Sequence, residues 1–403
     1  GGRGLSTGPS IGVDPPGAGW PQRIARRLEA IRAEGRWREY RDFDALGPEG
    51  ELTAEHRTVV SFASNDYLGL TAHPAVIAAA HDALDRWGAG AGGSRLVTGS
   101  RPVHRDLEAE LATWKGTDRA VLFPTGFATN LGVLATLGGP GVRIVSDSLN
   151  HASIIDGTRL ARAEVVIAPH GDLAALDALV AEAPGPTIVV ADTVFSMDGD
   201  VLDVAAVADV CRRRGSLLVL DEAHAVLGPD PDAAALADIE VVRVGTLSKT
   251  LGSLGGFAAC SAAVADLLVN AARPSIFTTA LSPADTAAAL AALRVVRSPE
   301  GETLVARLRG HVDRLAPGHP SPIVPVVLGD EERAVAAAAQ LLDAGLFVPA
   351  IRPPTVAPGT SRLRITLSAA HTDGQVDRLV TALAALAALG DLDEHDAGHR
   401  GGR

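Results

Sequence analysis

Aromatic residues are scarce in this sequence, and long apolar runs are missing from it. Phe, Trp and Tyr together make up 3% of the 403 residues, although 47% of all residues are hydrophobic. Each apolar run is short and is broken by glycine, proline or a charged residue, so we expect no membrane-spanning helix. Alanine and glycine are abundant instead, which favours close packing of helices on a sheet.

Positive charge and cysteine are also limited. The formal net charge is −12, and arginines cluster only briefly, near residues 23–41 and at residues 212–214. Nucleic acid is therefore not an expected partner. The two cysteines, Cys211 and Cys260, lie far apart in apolar segments, which favours buried free thiols in a reducing compartment. We expect a cytoplasmic protein without a signal peptide, a membrane partner or a metal site.

Helix-like and strand-like segments alternate through the middle of the sequence. Strands are predicted at residues 119–123, 143–146, 164–168, 187–192, 216–221, 241–245 and 257–260. Helical patterns precede or separate them at residues 103–114, 128–137, 154–161, 173–183, 204–213 and 233–237. This alternation predicts an α/β fold with a mostly parallel sheet sandwiched by helices.

The two ends of the sequence have different textures. An amphipathic helix is predicted at residues 21–41 and an extended segment at residues 59–63. After residue 283, a helix at 284–297 leads to strands at 323–328, 346–349 and 362–367 and to a closing helix at 375–389. We therefore predict an N-terminal arm and helix (1–64), a large domain (65–283), a smaller C-terminal α/β domain (284–390) and a flexible tail (391–403). Residues 1–19 are also expected to be poorly ordered.

Two segments look like nucleotide-binding motifs but lack the required context. Residues 88–93 fit Gly-x-Gly-x-x-Gly, yet they follow a helix-like segment rather than a strand, so a turn-rich loop is the better interpretation. Residues 221–224, Asp-Glu-Ala-His, have the composition of a nucleotide hydrolase box. No phosphate-binding Gly-x-x-x-x-Gly-Lys loop accompanies them, because Ser248 stands before Lys249 where that loop needs glycine.

Lys249 and Asp221 each follow or end a predicted strand. Lys249 lies among small and hydroxyl residues after the strand at 241–245, and Asp221 ends the strand at 216–221, with His224 three residues later. A lysine can hold pyridoxal 5'-phosphate (PLP) as a Schiff base, and a carboxylate can keep the pyridine nitrogen protonated. Taken alone, each has a structural explanation, since lysines form ion pairs or extend to solvent and aspartates cap helices.

Three further segments supply what such a site still needs. Residues 124–130 follow a strand and open a helix with Gly126, which predicts a phosphate-binding helix N-terminus. His151 follows another strand and could stack on a flat ring. Arg362 and Arg364 alternate along a strand and share a face, where either could hold a carboxylate in a bidentate pair. Because ligands bind open α/β sheets at the carboxyl ends of strands, the segments together predict a PLP site.

Eight segments of the chain carry motifs of a known family. They include Phe-Ala-Ser-Asn-Asp-Tyr-Leu-Gly-Leu at residues 62–70 and Gly-Thr-Leu-Ser-Lys at residues 245–249, and the others lie at residues 92–99, 149–157, 194–200, 221–224, 277–279 and 364–371. With these motifs the chain resembles the α-oxoamine synthases, a branch of the fold-type I PLP enzymes, over nearly its whole length. Within the branch it is most similar to the 8-amino-7-oxononanoate synthases.

The resemblance implies roles around the cofactor ring. Lys249 would form the Schiff base and later move the α-proton of the substrate. Asp221 would pair with the pyridine nitrogen, and His151 would stack on the ring. Ser196 and His224 would bond the ring oxygen. The catalytic residues implied in this way are Lys249, His151, Asp221 and His224.

The resemblance also implies contacts to the phosphate and to the amino acid. The implied phosphate contacts are Gly126, Phe127, Thr246 and Ser248, with Thr278 and Thr279 reaching across from a second subunit. A homodimer with shared active sites is therefore implied. Asn65 and Arg364 would hold the substrate carboxylate, with Arg362 as the alternative to Arg364.

The reaction implied by the resemblance is a decarboxylative condensation. L-Alanine and pimeloyl-CoA, or a pimeloyl carrier protein, would give 8-amino-7-oxononanoate, CO2 and CoA in biotin biosynthesis. The alternative is another α-oxoamine synthase, either like glycine C-acetyltransferase or a secondary-metabolic enzyme with a different acyl thioester. One departure bears on this choice, because Ala225, Val226 and Leu227 separate His224 from Gly228 where the family has glycine directly after histidine. We expect the added bulk to lie beside the cofactor.

Overall fold

A computed structural model describes residues 19–388 of the chain. The predicted tail at 391–403 and residues 1–18 of the segment expected to be poorly ordered lie outside the described residues. Within the described range, no helix is long and apolar enough to cross a bilayer.

Helices and strands alternate along most of the described chain. The first part contains α1 (Trp20–Ala33), β1 (Phe43–Asp44), β2 (Glu49–Leu52), β3 (Arg57–Ser61), α2 (Pro74–Trp87) and α3 (Pro102–Lys115). The central part contains β4 (Arg119–Phe123), α4 (Gly126–Leu137), β5 (Arg143–Asp147), α5 (Ala152–Leu160), β6 (Glu164–Ala168), α6 (Leu173–Ala181), β7 (Thr187–Asp192), α7 (Val204–Arg214), β8 (Leu217–Asp221), β9 (Val241–Thr246) and β10 (Gly256–Cys260). The last part contains α8 (Ala262–Ala271), α9 (Arg273–Ile276), α10 (Pro283–Val296), α11 (Pro299–Leu315), β11 (Ile323–Gly329), α12 (Glu331–Asp343), β12 (Leu346–Phe347), β13 (Ala350–Ile351), β14 (Ser361–Thr366) and α13 (Asp373–Ala388).

The predicted mostly parallel sheet is confirmed. Seven strands lie in the order β4-β10-β9-β8-β7-β5-β6, and only β10 runs antiparallel to its neighbours. Alternate residues along the central strands face opposite sides, as the two-residue period of a strand requires. Ile188 and Val190 of β7 belong to the apolar cluster on one face, whereas Val189 belongs to the cluster on the other. The sheet is therefore buried on both faces, which explains the continuous apolar runs.

Short polar side chains begin the helices that cover this sheet. Asp172, Asp203 and Ser261 accept hydrogen bonds from backbone N–H groups in the first turns of α6, α7 and α8 at 2.9, 3.0 and 3.3 Å. Gly215 ends α7 in a left-handed conformation with φ of 65°. These caps satisfy groups that a helix cannot pair internally, so they fix where each helix begins or ends.

A smaller set of strands joins the two ends of the described chain. β11, β14 and β13 form a three-stranded antiparallel sheet. β12 pairs in parallel with β3, which also pairs with β2. The N-terminal strands therefore lie in one sheet with a strand of the C-terminal unit. We propose that the small domain includes β1–β3 together with residues 284–390.

The structure departs from the sequence prediction at several elements. The helix predicted at 21–41 ends at Ala33 and is followed by Gly35 with φ of 64°. Residues 233–237 form turns rather than a helix, and Asp238, which follows them, has φ of 61°, a left-handed conformation that interrupts a right-handed helix. Residues 88–93 form the expected loop between α2 and α3. The additional elements are α8, α9, α11, α12, β1, β2 and β13.

The hairpin from Val194 to Val201 packs closely on the C-terminal unit. Gly199 in this hairpin has φ of 70°, and a Cβ atom there would lie 1.9 Å from the carbonyl oxygen of Ile323. Ser321 Oγ donates to the Gly199 carbonyl oxygen at 2.6 Å. Only glycine fits this conformation and this approach.

Gly199→Ala is therefore expected to lower the free energy of unfolding by about 2 kcal/mol or more, because the added Cβ forces the hairpin away from β11. Denaturant unfolding measures the change. Gly310→Ala is the matched control, because no atom lies within 4 Å of a Cβ at that helical position. It should be neutral or stabilising by up to about 1 kcal/mol. Equal losses in the two variants would contradict this assignment.

Candidate active site

The carboxyl ends of the parallel strands bring the predicted site residues to one edge of the large sheet. β8 ends at Asp221 and β7 ends at Asp192, and the two aspartates are aligned in register. His151 lies shortly after β5, and Lys249 lies shortly after β9. This edge is where open α/β sheets bind ligands.

The amine of Lys249 contacts His224. Lys249 Nζ lies 2.8 Å from His224 Nε2. Burial lowers the pKa of Lys249 to about 8, although the charges of Asp221 and Asp192 raise it. A fraction of this amine is therefore unprotonated near neutral pH, as a lysine nucleophile requires.

Tyr67 links His224 to the predicted carboxylate-binding residues. Its hydroxyl lies 2.5 Å from His224 Nδ1 and donates to Asn65 Oδ1 at 3.2 Å. The same Asn65 oxygen accepts from Arg364 Nη2 at 3.2 Å. Burial lowers the pKa of His224 well below its ordinary value, and the charge of Lys249 acts in the same direction. A neutral imidazole thus lies in a hydrogen-bonded chain that runs from Lys249 to Arg364.

Asp221 is buried and is oriented by two neutral donors. Its Oδ2 accepts from Asn130 Nδ2 at 2.7 Å, and its Oδ1 accepts from the backbone N–H of Ala223 at 2.9 Å. Asn130 also donates to Ser153 Oγ at 2.9 Å. Within residues 19–388, Asp221 forms no ion pair, so this carboxylate suits a cationic ligand atom.

His151 is fixed at both its backbone and its ring. Its N–H donates to Asp192 Oδ2 at 2.7 Å, and its Nδ1 lies 2.7 Å from Ser153 Oγ. The ring meets that of Phe127 edge to face, with centroids 6.3 Å apart. Burial lowers the pKa of His151, which favours the neutral ring. A held, uncharged imidazole is suited to stacking on a flat ligand.

The predicted phosphate-binding residues lie together at the start of α4. Thr125 caps this helix by accepting from Ala128 N at 3.0 Å. A Cβ at Gly126 would lie 3.1 Å from Thr246 Cβ, so the turn after β4 approaches the end of β9 closely. Thr246 Oγ1 lies 2.8 Å from Ser248 Oγ. Hydroxyl groups thus stand beside unpaired N–H groups of a helix N-terminus, which is an anion-binding arrangement.

The two candidate arginines on β14 have different partners. Arg362 forms an ion pair with Asp198 and donates to the carbonyl oxygen of Met197 at 3.2 Å. Arg364 binds neutral acceptors instead, which are the Ser196 carbonyl oxygen at 2.6 Å, Thr366 Oγ1 at 3.3 Å and Asn65 Oδ1 at 3.2 Å. Arg364 is therefore the guanidinium that can still receive a carboxylate.

Three predicted residues have less direct placements. Ser196 lies in the hairpin from Val194 to Val201, and its carbonyl oxygen accepts from Arg364. Thr278 and Thr279 follow α9 and line a small cavity with residues of the β4 end, among them Pro124. In the described part of one chain, no hydrogen bond joins either threonine to Lys249 or His224.

Sequence reasoning assigned no role to four polar residues of this site. They orient or extend the predicted set and are Tyr67, Asn130, Ser153 and Asp192. Position offered some signal, since Asp192 ends a buried strand as Asp221 does, and Asn130 lies one helical turn after Gly126. Their partners are distant in sequence, so the contacts themselves could not be predicted.

The residues around the departure at 225–227 face the apolar core. Glu222 is buried and pairs with Lys115 Nζ and Arg243 Nε, each at 2.6 Å. Val226 and Leu227 pack against the large apolar cluster. Ala225 and Val226 also line a cavity of about 60 Å³ that reaches Thr246.

No group of three or more metal-ligating side chains occurs among the described residues.

His170 holds two loops of the site through two carboxylates. Its Nδ1 lies 3.1 Å from Asp147, which precedes the His151 loop, and its Nε2 lies 2.6 Å from Asp200 in the Ser196 hairpin. These hydrogen bonds raise the pKa of His170 to about 10, with Asp147 contributing most. The charged imidazole therefore connects the two loops at neutral pH.

Comparison with known proteins gives consistent matches over most of the chain. The family described as aminotransferase class I and II matches residues 57–383. An 8-amino-7-oxononanoate synthase from Anaeromyxobacter dehalogenans is 48% identical over 380 residues, which cover 90% of this chain and 95% of that protein. A serine palmitoyltransferase from S. paucimobilis, solved with a bound PLP–myriocin aldimine, aligns with a TM-score of 0.84 and 31% identity over 91% of this chain and 97% of that one. A solved 8-amino-7-oxononanoate synthase from Francisella tularensis aligns with a TM-score of 0.69 and 25% identity over 82% of this chain and 98% of that one.

At low pH, His170→Gln is expected to lower the free energy of unfolding by roughly 1–2 kcal/mol, because two ion pairs are lost. The loss is limited to this size because the imidazole is partly exposed and solvent screens both ion pairs. The folded pKa of about 10 lies above the unfolded value of 6.5, so the stabilisation is full below 6.5 and disappears as pH rises through 10. Denaturant unfolding across this pH range measures the difference. His81→Gln, at an exposed position on α2, is the control. A difference from wild type that grew with pH would contradict the role of His170.

Proposed function

The chain belongs to the aminotransferase class I and II family and, within it, to the 8-amino-7-oxononanoate synthases, and on this premise we propose that it condenses L-alanine with a pimeloyl thioester. It is a PLP-dependent acyltransferase of the fold-type I class. Its substrates are an amino acid and an acyl donor. The observation that carries the proposal is that Lys249, at the same edge of the large sheet as Asp221, is joined to Arg364 of β14 through His224, Tyr67 and Asn65.

The residues at this edge fit PLP. Asp221 has neutral donors on both oxygens, so a protonated ring nitrogen supplies the cation that it lacks. Lys249 offers an amine with a pKa of about 8, and His151 offers a fixed ring. The start of α4 offers the anion site. When bound, PLP supplies an electron sink that stabilises negative charge at the α-carbon of an amino acid.

We assign the substrate carboxylate to Arg364 and Asn65. Three N–H groups of Arg364 bind neutral acceptors, and a guanidinium has five, so two remain for a carboxylate. Asn65 contacts the same guanidinium at 3.2 Å. The neighbouring Arg362 is already neutralised by Asp198. This division supports Arg364 over Arg362 for substrate binding.

Lys249 and His224 are assigned the proton movements. Lys249 takes the α-proton of alanine, and the neutral imidazole of His224, 2.8 Å away, exchanges protons with that amine. The α-carbon then bonds to the thioester carbonyl carbon, and the thiol leaves as the C–S bond breaks. The carboxylate departs as CO2, and one proton returns to the same carbon. The product is 8-amino-7-oxononanoate, with CoA or a carrier protein as the released thiol.

We further propose a cytoplasmic homodimer with shared active sites. Among the described residues of one chain, Thr278 and Thr279 form no hydrogen bond with Lys249, and the adjacent Phe277 is 71% exposed. This placement supports a role at the phosphate of a second subunit. Both cysteines are free and buried, which agrees with a reducing compartment.

A panel of amino acids and acyl thioesters tests the proposed reaction. We expect free thiol release to be fastest with L-alanine and pimeloyl-CoA or a pimeloyl carrier protein, because the site must match both substrates. Glycine, serine and acyl chains of other lengths complete the panel. A preference for glycine or serine, or for a shorter acyl chain, would overturn the substrate assignment and leave the family membership intact.

Lys249→Ala is the matched control for that assay. It should abolish turnover and the absorbance at about 420 nm that a lysine-bound cofactor gives. Turnover retained by this variant would refute the role of Lys249.

Arg364→Ala is expected to raise KM for the amino acid by roughly tenfold to a hundredfold, because a charge-assisted carboxylate contact is lost. KM for the acyl thioester should change little. Steady-state kinetics with each substrate varied in turn measure both values. Arg362→Ala is the comparison, and it should chiefly lower stability, since Asp198 loses its partner. If instead the Arg362 variant alone raised the amino acid KM, the carboxylate role would move to that residue.

A further inference from the structure

Three adjacent strands of the large sheet end in aspartate. β8, β7 and β5 lie side by side, and their last residues are Asp221, Asp192 and Asp147. Asp192 and Asp221 are paired in register, so their side chains lie on the same face of the sheet. Three carboxyl groups are thus gathered in and around a buried site.

The two outer aspartates have partners that suit an ionised carboxylate. Asp147 lies 3.1 Å from the imidazole of His170. Asp221 accepts hydrogen bonds from Asn130 at 2.7 Å and from the N–H of Ala223 at 2.9 Å, and in the proposed function it pairs with the ring nitrogen of the cofactor. Asp147 therefore has a charged partner, and the charge of Asp221 is stabilised by two neutral hydrogen-bond donors.

The middle aspartate has no such compensation. Asp192 is 2% exposed and accepts one hydrogen bond, from the N–H of His151 at 2.7 Å. It forms no ion pair with any residue from 19 to 388. The charge of Lys249 favours ionisation of Asp192, but the amine of Lys249 is bonded to His224. An isolated buried carboxylate next to a second carboxylate is costly, so protonation is the less expensive state.

We propose that Asp192 is a neutral carboxylic acid that positions His151, and that Asp221 alone carries the negative charge at the cofactor ring. Oδ2 accepts the N–H of His151, which leaves Oδ1 available to carry the proton. Enzymes are known in which one of two neighbouring carboxyl groups is neutral and the other is ionised, so that the two have different roles. The inference rests on the proposed function only for the role of Asp221.

The electrostatic surroundings agree with this division. Burial raises the pKa of Asp192 well above its ordinary value, and the charges of Asp221 and Asp147 act in the same direction. The N–H of His151 and the charge of Lys249 oppose the increase. Asp147 ends β5 and Asp221 ends β8, while His151 and Lys249 lie in the loops after β5 and β9. A single proton on Asp192 removes one of two like charges from paired strand ends.

Infrared difference spectroscopy of the full chain without cofactor tests the proton directly. A protonated carboxyl group absorbs apart from carboxylates, so wild type should show this band at pH 7 and Asp192→Asn should lack it. Asp147→Asn is the comparison, because it removes the aspartate that ends the adjacent strand β5, where His170 is its partner, and it should leave the band unchanged. Absence of the band in wild type, or its persistence in Asp192→Asn, would overturn the proposal. The infrared spectrum of each variant is recorded without turnover.

The pH dependence of Tm supplies a second, independent measurement. The pKa of Asp192 is raised above 3.8 in the folded protein, so its neutral form stabilises the fold most at low pH. This stabilisation is lost as pH rises through the folded pKa. Asp192→Asn keeps an oxygen acceptor for His151 without a titrating proton. The Tm of Asp192→Asn should therefore equal or exceed that of wild type at about pH 8, while the Tm of Asp192→Ala should fall below both. A Tm loss in Asp192→Asn as large as that in Asp147→Asn would show that Asp192 is ionised and would refute the inference.

Discussion

The burial of parallel strands up to their carboxyl ends is the constraint on which the rest of this structure depends. Both faces of the large sheet are covered, so the polar groups of the site lie where the strands stop. Asp221, the His151 loop and the segment that carries Lys249 all occupy such positions. The same burial that builds the core also lowers the pKa values of Lys249 and His224. Fold and reactivity therefore share one physical cause.

The site also depends on contacts between the large sheet and the C-terminal unit. The hairpin from Val194 to Val201 leaves the large sheet and is held by Arg362 and Arg364 of β14. His170 holds its other side through Asp200. The substrate-binding guanidinium and the loop with Ser196 are consequently parts of one connected structure. A displacement of the small unit would move both together.

Much of the fold and most of the site could be predicted from sequence because both depend on local pattern. Buried parallel strands have short apolar runs of their own, and residues such as Lys249 and Asp221 stand at the ends of those runs. The helix predicted beyond Ala33 was wrong because Gly35 adopts a conformation that apolar periodicity does not report. Tyr67 and Asn130 gained their roles through hydrogen bonds to His224 and Asp221, which are formed only by tertiary structure. The difference between Arg362 and Arg364 likewise followed from a partner, Asp198, in another part of the chain.

The parallel pairing of β3 with β12 has a consequence for how the protein reaches its folded state. Val60 and Leu346 are partners in this sheet, so most of the described chain separates the two strands. A ribosome that has released β3 must still synthesise the whole large domain before β12 emerges. During that interval one edge of β3 has no partner strand. Pairing β3 with β12 closes a long loop, which costs chain entropy that the formation of a local helix does not cost. Completion of the small unit is therefore a late event in folding, and the chain carries an unpaired strand edge until then.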